Sequence, residues 1–469
     1  MVRHRALKDK DIEDLLAQLE GGEISEDDAE SDGDDLEFYP TLEELQAALE
    51  EDEAEEEPAS TTEEENLIQE PDFAAVFPDP PLLNEDMPST GMQDPFIPIN
   101  AQNLRWRKAT FPFCENQIKF KGVTAYPPEI MNLQTPYQFF SYFFTPDMMD
   151  KIVNETNLYS VQKKNQNARL LLMTDVRKYF GILIFMSVFH YPSVRSYWDT
   201  KYGFEPIKQT MPVNRFEKIR EIIHFNNNQQ HKPMTHPEHD RLHKLRPVID
   251  HLNEKFSSVP MEQRLSIDEQ MCATKIGHFM KQYLPNKPHK WGFKLFVLCS
   301  LSGYAYRFII YSGKDLEPLQ PGEADVGVVG NTVIKLSRGI PWKVNHIVYF
   351  DNYYTSLPLM YYMAKEGILC LGTVQRNRLG KNCKLPTKPQ VMARSVPRGS
   401  FDEYITTHDE IDMTAVSWKD NKQVILLSTY VGATPVGTIE RYDKNEKTKK
   451  PITAQKLLVN ITLTWAVSI

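Results

Sequence analysis

Two aspartates stand where a chain of this kind could do chemistry. Asp268 closes the apolar stretch LSID and Asp351 closes HIVYFD, so each carboxylate follows a run that reads as a buried strand. The carboxyl edge of an α/β sheet is where such folds build sites. Two strand-end carboxylates can share divalent metal. Mg²⁺ takes a few hard carboxylate oxygens and completes its shell with water and substrate phosphate. A pair of such ions activates the attacking oxygen and stabilises the leaving one in phosphodiester cleavage. The plainer use of each Asp is to cap the turn or helix that follows it, and spacing alone leaves both uses open. Beside Asp268 runs a basic and aromatic segment: Lys275, His278, Phe279, Lys281, Tyr283, Lys287, His289, Lys290, Trp291 and Lys294. Cations suit phosphates and interleaved rings suit bases, which makes this a candidate nucleic-acid track. A second cluster, Arg376, Arg378, Lys381 and Lys384, follows the second acid. Ordinary solvated surface accounts for either cluster alone; their placement on both sides of the acids makes them candidate DNA contacts.

The elements that must hold these residues change character along the chain. From about 130 to 262 the spacing is helical. Thr145-Pro146-Asp147 supplies an N-cap, a first-turn proline and an early acid. Asn214 to Glu217 has capping-box spacing, and Phe216, Ile219, Ile222 and Ile223 then share one face. Met173–Tyr191 is apolar on most faces and is expected at the centre of a helical bundle. From 263 the period becomes that of strands: Arg264–Asp268, then Phe293–Leu301 and Tyr304–Ser312 around a Ser302-Gly303 turn, then His346–Phe350. A helical stretch, Ser356–Lys365, precedes another buried strand at Ile368–Val374. This is a mixed α/β sheet. Residues 400–431 add β structure, with a turn at Trp418–Lys422.

Charge divides the chain more sharply than composition does. Residues 1–100 carry 4 basic and 32 acidic side chains, a charge of −28; the remaining 369 carry 49 basic and 32 acidic, a charge of +17. The net charge of −11 therefore describes neither part. The acidic leader is low in complexity and rich in proline, a composition that cannot bury enough apolar surface to offset its ordering entropy and reads as a disordered tail. Two pieces of it, Ile12–Leu19 and Leu42–Leu49, have helical spacing and suit folding on a partner. The longest apolar run, Tyr179–Tyr191, is too short to span a bilayer, and the first residues lack a signal-peptide core. Five scattered cysteines with no C-x-x-C pair argue for reduced intracellular thiols and against both a disulfide frame and a zinc site.

LSIDEQM followed by FMKQYLPNKPHKWGFKLFVLC, HIVYFDNYYTSLPL, GTVQRNR, WKDNKQVILLS and the helical TPYQFFSYFFTPDMMDKIVNETN together resemble the piggyBac-type transposases and their domesticated derivatives, over residues 130 to 460. The resemblance implies a ribonuclease-H-like mixed sheet core, a preceding helical DNA-binding and dimerisation region, a β-rich insertion and a disordered acidic N-terminus. On that pattern the chain divides into a leader (1–104), the helical region (105–262), the core (263–378), the insertion (379–445) and a tail (446–469). It also implies Mg²⁺-dependent cut-and-paste transposition at TTAA targets through hairpin intermediates, in the nucleus and on double-stranded DNA. Asp268 and Asp351 then correspond to the first two metal-binding catalytic aspartates, and Lys275, Lys281, Lys287, Lys290, Lys294, Arg376 and Arg378 are the expected DNA contacts.

The chain departs from that pattern after RYDKNEKTKK. The family's third carboxylate lies in a motif of the form Y-N-x-x-M-G-G-V-D, and no G-G-V-D occurs in these 469 residues; with five scattered cysteines, no zinc is expected either. Back-translation of Asn460–Ile469, with third bases free, reads Y-N-T-H-M-G-G-V-D when the frame moves by two bases, so a frame slip near Asn460 is expected. The function expected is a transposase-derived DNA-binding protein that has lost catalysis with its third Asp. The alternatives are an active metal-dependent transposase or nuclease, and an interaction protein acting through its acidic tail on chromatin or transcription partners. A homodimer and no membrane association complete the expectations.

Overall fold

The computed structural model describes residues 99–163, 170–285, 287, 289–313, 318–443 and 448–455. Residues 1–98, with the two helical pieces of the acidic leader, and residues 456–469, where the frame slip is expected, lie outside the described residues. The end of the leader, 99–104, is described and buries Ile99 and Leu104, and residues 448–455 of the tail form a strand. Two compact units form, one from residues 95–272 with 294–469, the other including residues 273–293.

The larger unit begins with helices α1 (Pro136–Phe143), α2 (Pro146–Gln162), α3 (Met173–Val188), α4 (Glu205–Thr210), α5 (Val213–Ile222) and α6 (Arg246–Ser257). Thr145 caps α2 as its sequence requires, accepting from the Met148 amide at 3.3 Å. The cap of α5 differs from expectation. The helix starts at Val213 behind Pro212, without a side-chain cap, because the Pro212 carbonyl already accepts from the Arg215 and Phe216 amides. Phe216, Ile219 and Ile222 are buried as their spacing demands. α3 also departs from expectation. Its first half buries Val176, Tyr179 and Ile182, but Ile184, Phe185, Val188 and the following Phe189 are exposed, so the helix lies at the margin of the bundle. Gly181 and Ile184 line a cavity of about 760 Å³ together with Tyr137, Phe140, Phe144 and Met149. Apolarity on every face marks burial only when neighbours cover each face; in the second half of α3 Phe204 reaches the Phe185 and Phe189 rings, at 5.7 and 4.9 Å, but leaves them partly open.

The sheet is built from β1 (Arg107–Lys108), β2 (Arg264–Ala273), β3 (Gln282–Tyr283), β4 (Trp291–Ser300), β5 (Ala305–Ile310), β6 (Ile347–Phe350), β7 (Leu369–Thr373), β8 (Phe401–His408), β9 (Ile411–Lys419) and β10 (Gln423–Ser428). Its order is β1-β8-β9-β10-β7-β6-β2-β4-β3, with β5 paired to β4. Helix α7 (Val328–Ser337) precedes β6, and α8 (Leu357–Lys365) links β6 to β7. β2, β6 and β7 are parallel neighbours, and β4–β5 is the expected hairpin around Gly303. The core is thus a mixed sheet, strand order β5-β4-β2-β6-β7, that the β-rich stretch β8–β10 prolongs at one side. The parallel strands are buried on both faces. Val348 and Phe350 pack with α7 and α8, whereas Ile347 and Tyr349 pack with Leu371, Val416 and Trp418. β11 (Val436–Asp443) and β12 (Thr448–Gln455) pair separately as a hairpin.

In the second unit the residues between β2 and β4 fold back on themselves. Gln282 pairs with Gly292 and Tyr283 with Trp291, and the Leu284 amide donates to the Lys290 carbonyl at 2.8 Å.

Candidate active site

The register of two parallel strands brings the acids together. Ile267 of β2 is the partner of Phe350 of β6, so Asp268 and Asp351 are the next residues along, side by side with Cα atoms roughly 5 Å apart, the inter-strand spacing. Ile267 and Phe350 both face the α7–α8 side. Alternation then turns Asp268 and Asp351 together toward the opposite face, the one bearing Tyr349 and Trp418. Glu269 has the other parity, and the Tyr354 hydroxyl, buried on the α7–α8 side, donates to its Oε2 at 3.4 Å.

The turn after β6 is held from several directions. Asp351 Oδ1 accepts from the Tyr353 amide at 2.9 Å, and its carbonyl accepts from the Thr355 hydroxyl at 2.6 Å. The capping use of Asp351 is therefore real and coexists with its place in the pair. Asp268 Oδ1 accepts from the Glu269 amide at 2.8 Å. Arg378, an expected DNA contact, donates from Nη1 to the carbonyls of Asn352 (2.5 Å), Tyr353 (3.1 Å) and Thr355 (3.0 Å). Arg376 donates to the Leu385 carbonyl at 2.6 Å. Lys294 lies beside the same turn, its Nζ 4.9 Å from the Tyr353 ring and 5.0 Å from the Phe296 ring. Asp268, Asp351, Lys294 and Arg378 are thus brought to one end of the sheet. Lys275, Lys281, Lys287 and Lys290 belong to the second unit.

Two neighbours escaped sequence reasoning. Burial pushes the Tyr354 phenol far up from its usual range, and the carboxylates of Glu269, Asp351 and Asp268 push it further. Burial, with Asp268 nearby, pushes the Cys299 thiol up to about 11. The paired tyrosines of DNYYTS were the available signal for Tyr354; nothing in the sequence marks Cys299, which enters through the β2–β4 neighbourhood. The Tyr354 phenol thus lies near three carboxylates, those of Glu269, Asp351 and Asp268. The donor set, two hard carboxylates on one face, is of the chemical type that Mg²⁺ takes. Among the described residues no group of three His, Cys, Asp or Glu converges as a metal cage, which the opposite parity of Glu269 explains.

Comparison with known proteins identifies the family. The family model described as "Transposase IS4" matches residues 135–461. The human PiggyBac transposable element-derived protein 2 is 30% identical over 342 residues, covering 71% of this chain and 55% of that protein. The human PiggyBac transposable element-derived protein 3 is 27% identical over 360 residues, covering 75% of this chain and 57% of that protein. The chain therefore spans about half the length of the curated relatives it matches. Among solved structures, a piggyBac transposase in a synaptic complex with hairpin DNA superimposes with a TM-score of 0.57 at 23% identity, covering 73% of this chain and 68% of that one. A mixed sheet core in the order β5-β4-β2-β6-β7, a family-model match over residues 135–461 and two relatives of 27–30% identity over most of the chain lead to one assignment: the chain belongs to the piggyBac-type transposase family.

Proposed function

We propose that this chain is a transposase-derived DNA-binding protein that holds a divalent cation on Asp268 and Asp351 but does not cut DNA, and that it acts in the nucleus. The observation that carries the reading is the register that sets the two carboxylates side by side on one face. Mg²⁺ bound there would supply Lewis-acid polarisation of a phosphodiester. The chain's own residues orient the pair: Arg378 fixes the carbonyls of the turn that carries Asp351, and the Thr355 hydroxyl fixes the Asp351 backbone. Inactivity is supported by the donor count. Among the described residues two carboxylates share the face, Glu269 has the opposite parity, and no group of three His, Cys, Asp or Glu converges to hold a metal. Loss of one ligand from a two-metal site removes much of the transition-state charge stabilisation.

DNA binding is supported by the charge distribution and by the DNA held in the related transposase complex. In the helical region several basic side chains already face acids: Arg195 with Glu217 at 2.8 Å, Arg215 with Asp175 at 2.9 Å, Arg246 with Asp240 at 2.7 Å. Residues 273–293 contain four lysines and no acid. A gel-shift titration of duplex DNA at increasing salt tests the reading. Binding that weakens linearly in log–log form is expected; no binding, or binding indifferent to salt, rejects it. Incubation of a duplex with Mg²⁺ or Mn²⁺ is expected to leave it intact, and nicking abolished by Asp268→Ala would reject the inactivity.

A further inference from the structure

We propose that the 273–293 hairpin is a stacking platform for an unpaired DNA strand, a ligand distinct from the duplex. The inference rests on the DNA-binding reading and narrows what one part of the protein takes.

The segment ATKIGHFMKQYLPNKPHKWGF has four lysines, two histidines and no acidic residue in 21 positions. Four of its large apolar side chains face solvent, Ile276 at 70% exposed, Phe279 62%, Tyr283 47% and Trp291 44%, while Met280 is buried. Single exposed rings on a protein surface need no explanation, whereas a short hairpin with this many open rings has a surface its own fold does not use. The rings are also ordered. Tyr283 and Trp291 are cross-strand partners with centroids 4.7 Å apart. Lys281 Nζ lies 5.1 Å from the Trp291 ring centre and donates to the Lys275 carbonyl, which fixes a cation beside the ring pair. Further along, His278 stacks on Phe279 at 4.6 Å and meets Phe293 edge-on at 5.4 Å.

Charge selects a polyanion as the occupant, and the rings select which one. In a duplex the π faces of the bases are stacked inside and only phosphates and groove edges are reachable, so duplex DNA would engage the lysines and leave the rings in water. An unpaired strand offers both its phosphates and its base faces, and aromatic rings beside cations bind such strands with little sequence preference. An acidic peptide would satisfy the lysines but has no planar groups to place on Tyr283 and Trp291.

The test uses the full chain and two labelled probes of equal length, oligo(dT) and a mixed-sequence duplex, followed by fluorescence anisotropy. The double variant Tyr283→Ala/Trp291→Ala is expected to weaken oligo(dT) binding roughly tenfold or more while leaving the duplex within about twofold. Tyr283→Leu/Trp291→Leu, which keeps apolar bulk in the hairpin, is expected to lose oligo(dT) binding likewise, and Tyr283→Phe/Trp291→Phe to retain it. Wild-type affinity for oligo(dT) in the Ala and Leu variants overturns the inference, as does an equal loss on both probes. Duplex binding with no oligo(dT) binding by the wild type overturns this inference alone, whereas failure to bind either probe overturns the DNA-binding reading beneath it. Preference for oligo(rU) over oligo(dT) would reassign the platform to RNA and reject the proposal as stated.

Discussion

At Asp351 one carboxylate serves both the turn that holds it and the pair it forms with Asp268, and Arg378 makes the two compatible. A guanidinium that binds three carbonyls of one turn does work that a lysine, a point charge on a flexible stem, cannot copy. Arg378→Ala is expected to destabilise the chain by about 2–3 kcal/mol, since bonds to charged groups contribute more than neutral ones, and Arg378→Lys is expected to recover less than half of that in urea unfolding. Full recovery by Lys would make Arg378 a surface cation instead. Asp268→Asn and Asp351→Asn should each weaken Mn²⁺ binding, read by calorimetry, by at least the 10–100-fold, roughly, that even outer-shell changes cost. Unchanged affinity would remove the pair from the metal reading. The thiols give a further check. Cys114 and Cys272 are exposed, while Cys370 and Cys383 are buried and Cys299 is held up at about 11. At pH 8 an Ellman titration of the native chain should show two fast thiols. Because the folded value for Cys299 lies above that of an unfolded thiol, about 8.5, its contribution to stability is complete below that value. It is lost as pH rises toward 11.

At the scale of elements, the parallel strands β2, β6 and β7 are the most constrained part, and α3 the least. Gly372 of β7 shows the constraint: an added Cβ would overlap Thr355 Oγ1 and stand 2.6 Å from the Phe350 carbonyl, against the turn that carries Asp351. α3 shows the freedom. Ile182→Ala, at a buried position, is expected to cost roughly 2–5 kcal/mol, whereas Phe185→Ser and Val188→Ser, at exposed ones, should stay within about 0.5 kcal/mol. Thermal unfolding of the three variants checks the contrast, and equal losses would mean that the exposed end of α3 is covered in solution. Helix caps read well where side chain and proline agreed, as at Thr145, and misread where a backbone carbonyl replaced the side chain, as at Pro212.

Across the whole molecule the charge split has a measurable consequence. Removal of residues 1–100 changes the formal charge from −11 to +17. The shortened chain is expected to bind non-specific duplex DNA more tightly at low ionic strength, with the difference vanishing as salt shortens the Debye length to a few ångströms. Identical salt titrations with and without the leader would show that the leader's field does not reach the DNA-binding surface. No helix among the described residues is long and apolar enough to cross a membrane.

The sequence by itself determined the main strands of the core and the change from helical to β period near residue 263, because burial and periodicity are local properties. It read Asp268 as the end of its strand, whereas β2 runs on to Ala273 and Asp268 stands in its middle, just past the last residue paired with β6. The lysine-rich, acid-free stretch was equally legible, as composition alone defines it. Only the tertiary structure decided that Asp268 and Asp351 are neighbours, since residues more than 80 positions apart meet through the β2–β6 register. The same holds for the exclusion of Glu269 from their face, which follows from strand parity within that register. That Arg378, expected to contact DNA, also clamps the Asp351 turn was decided by folding for a like reason: the carbonyls it binds are brought near it by the tertiary structure, and no spacing along the chain records them.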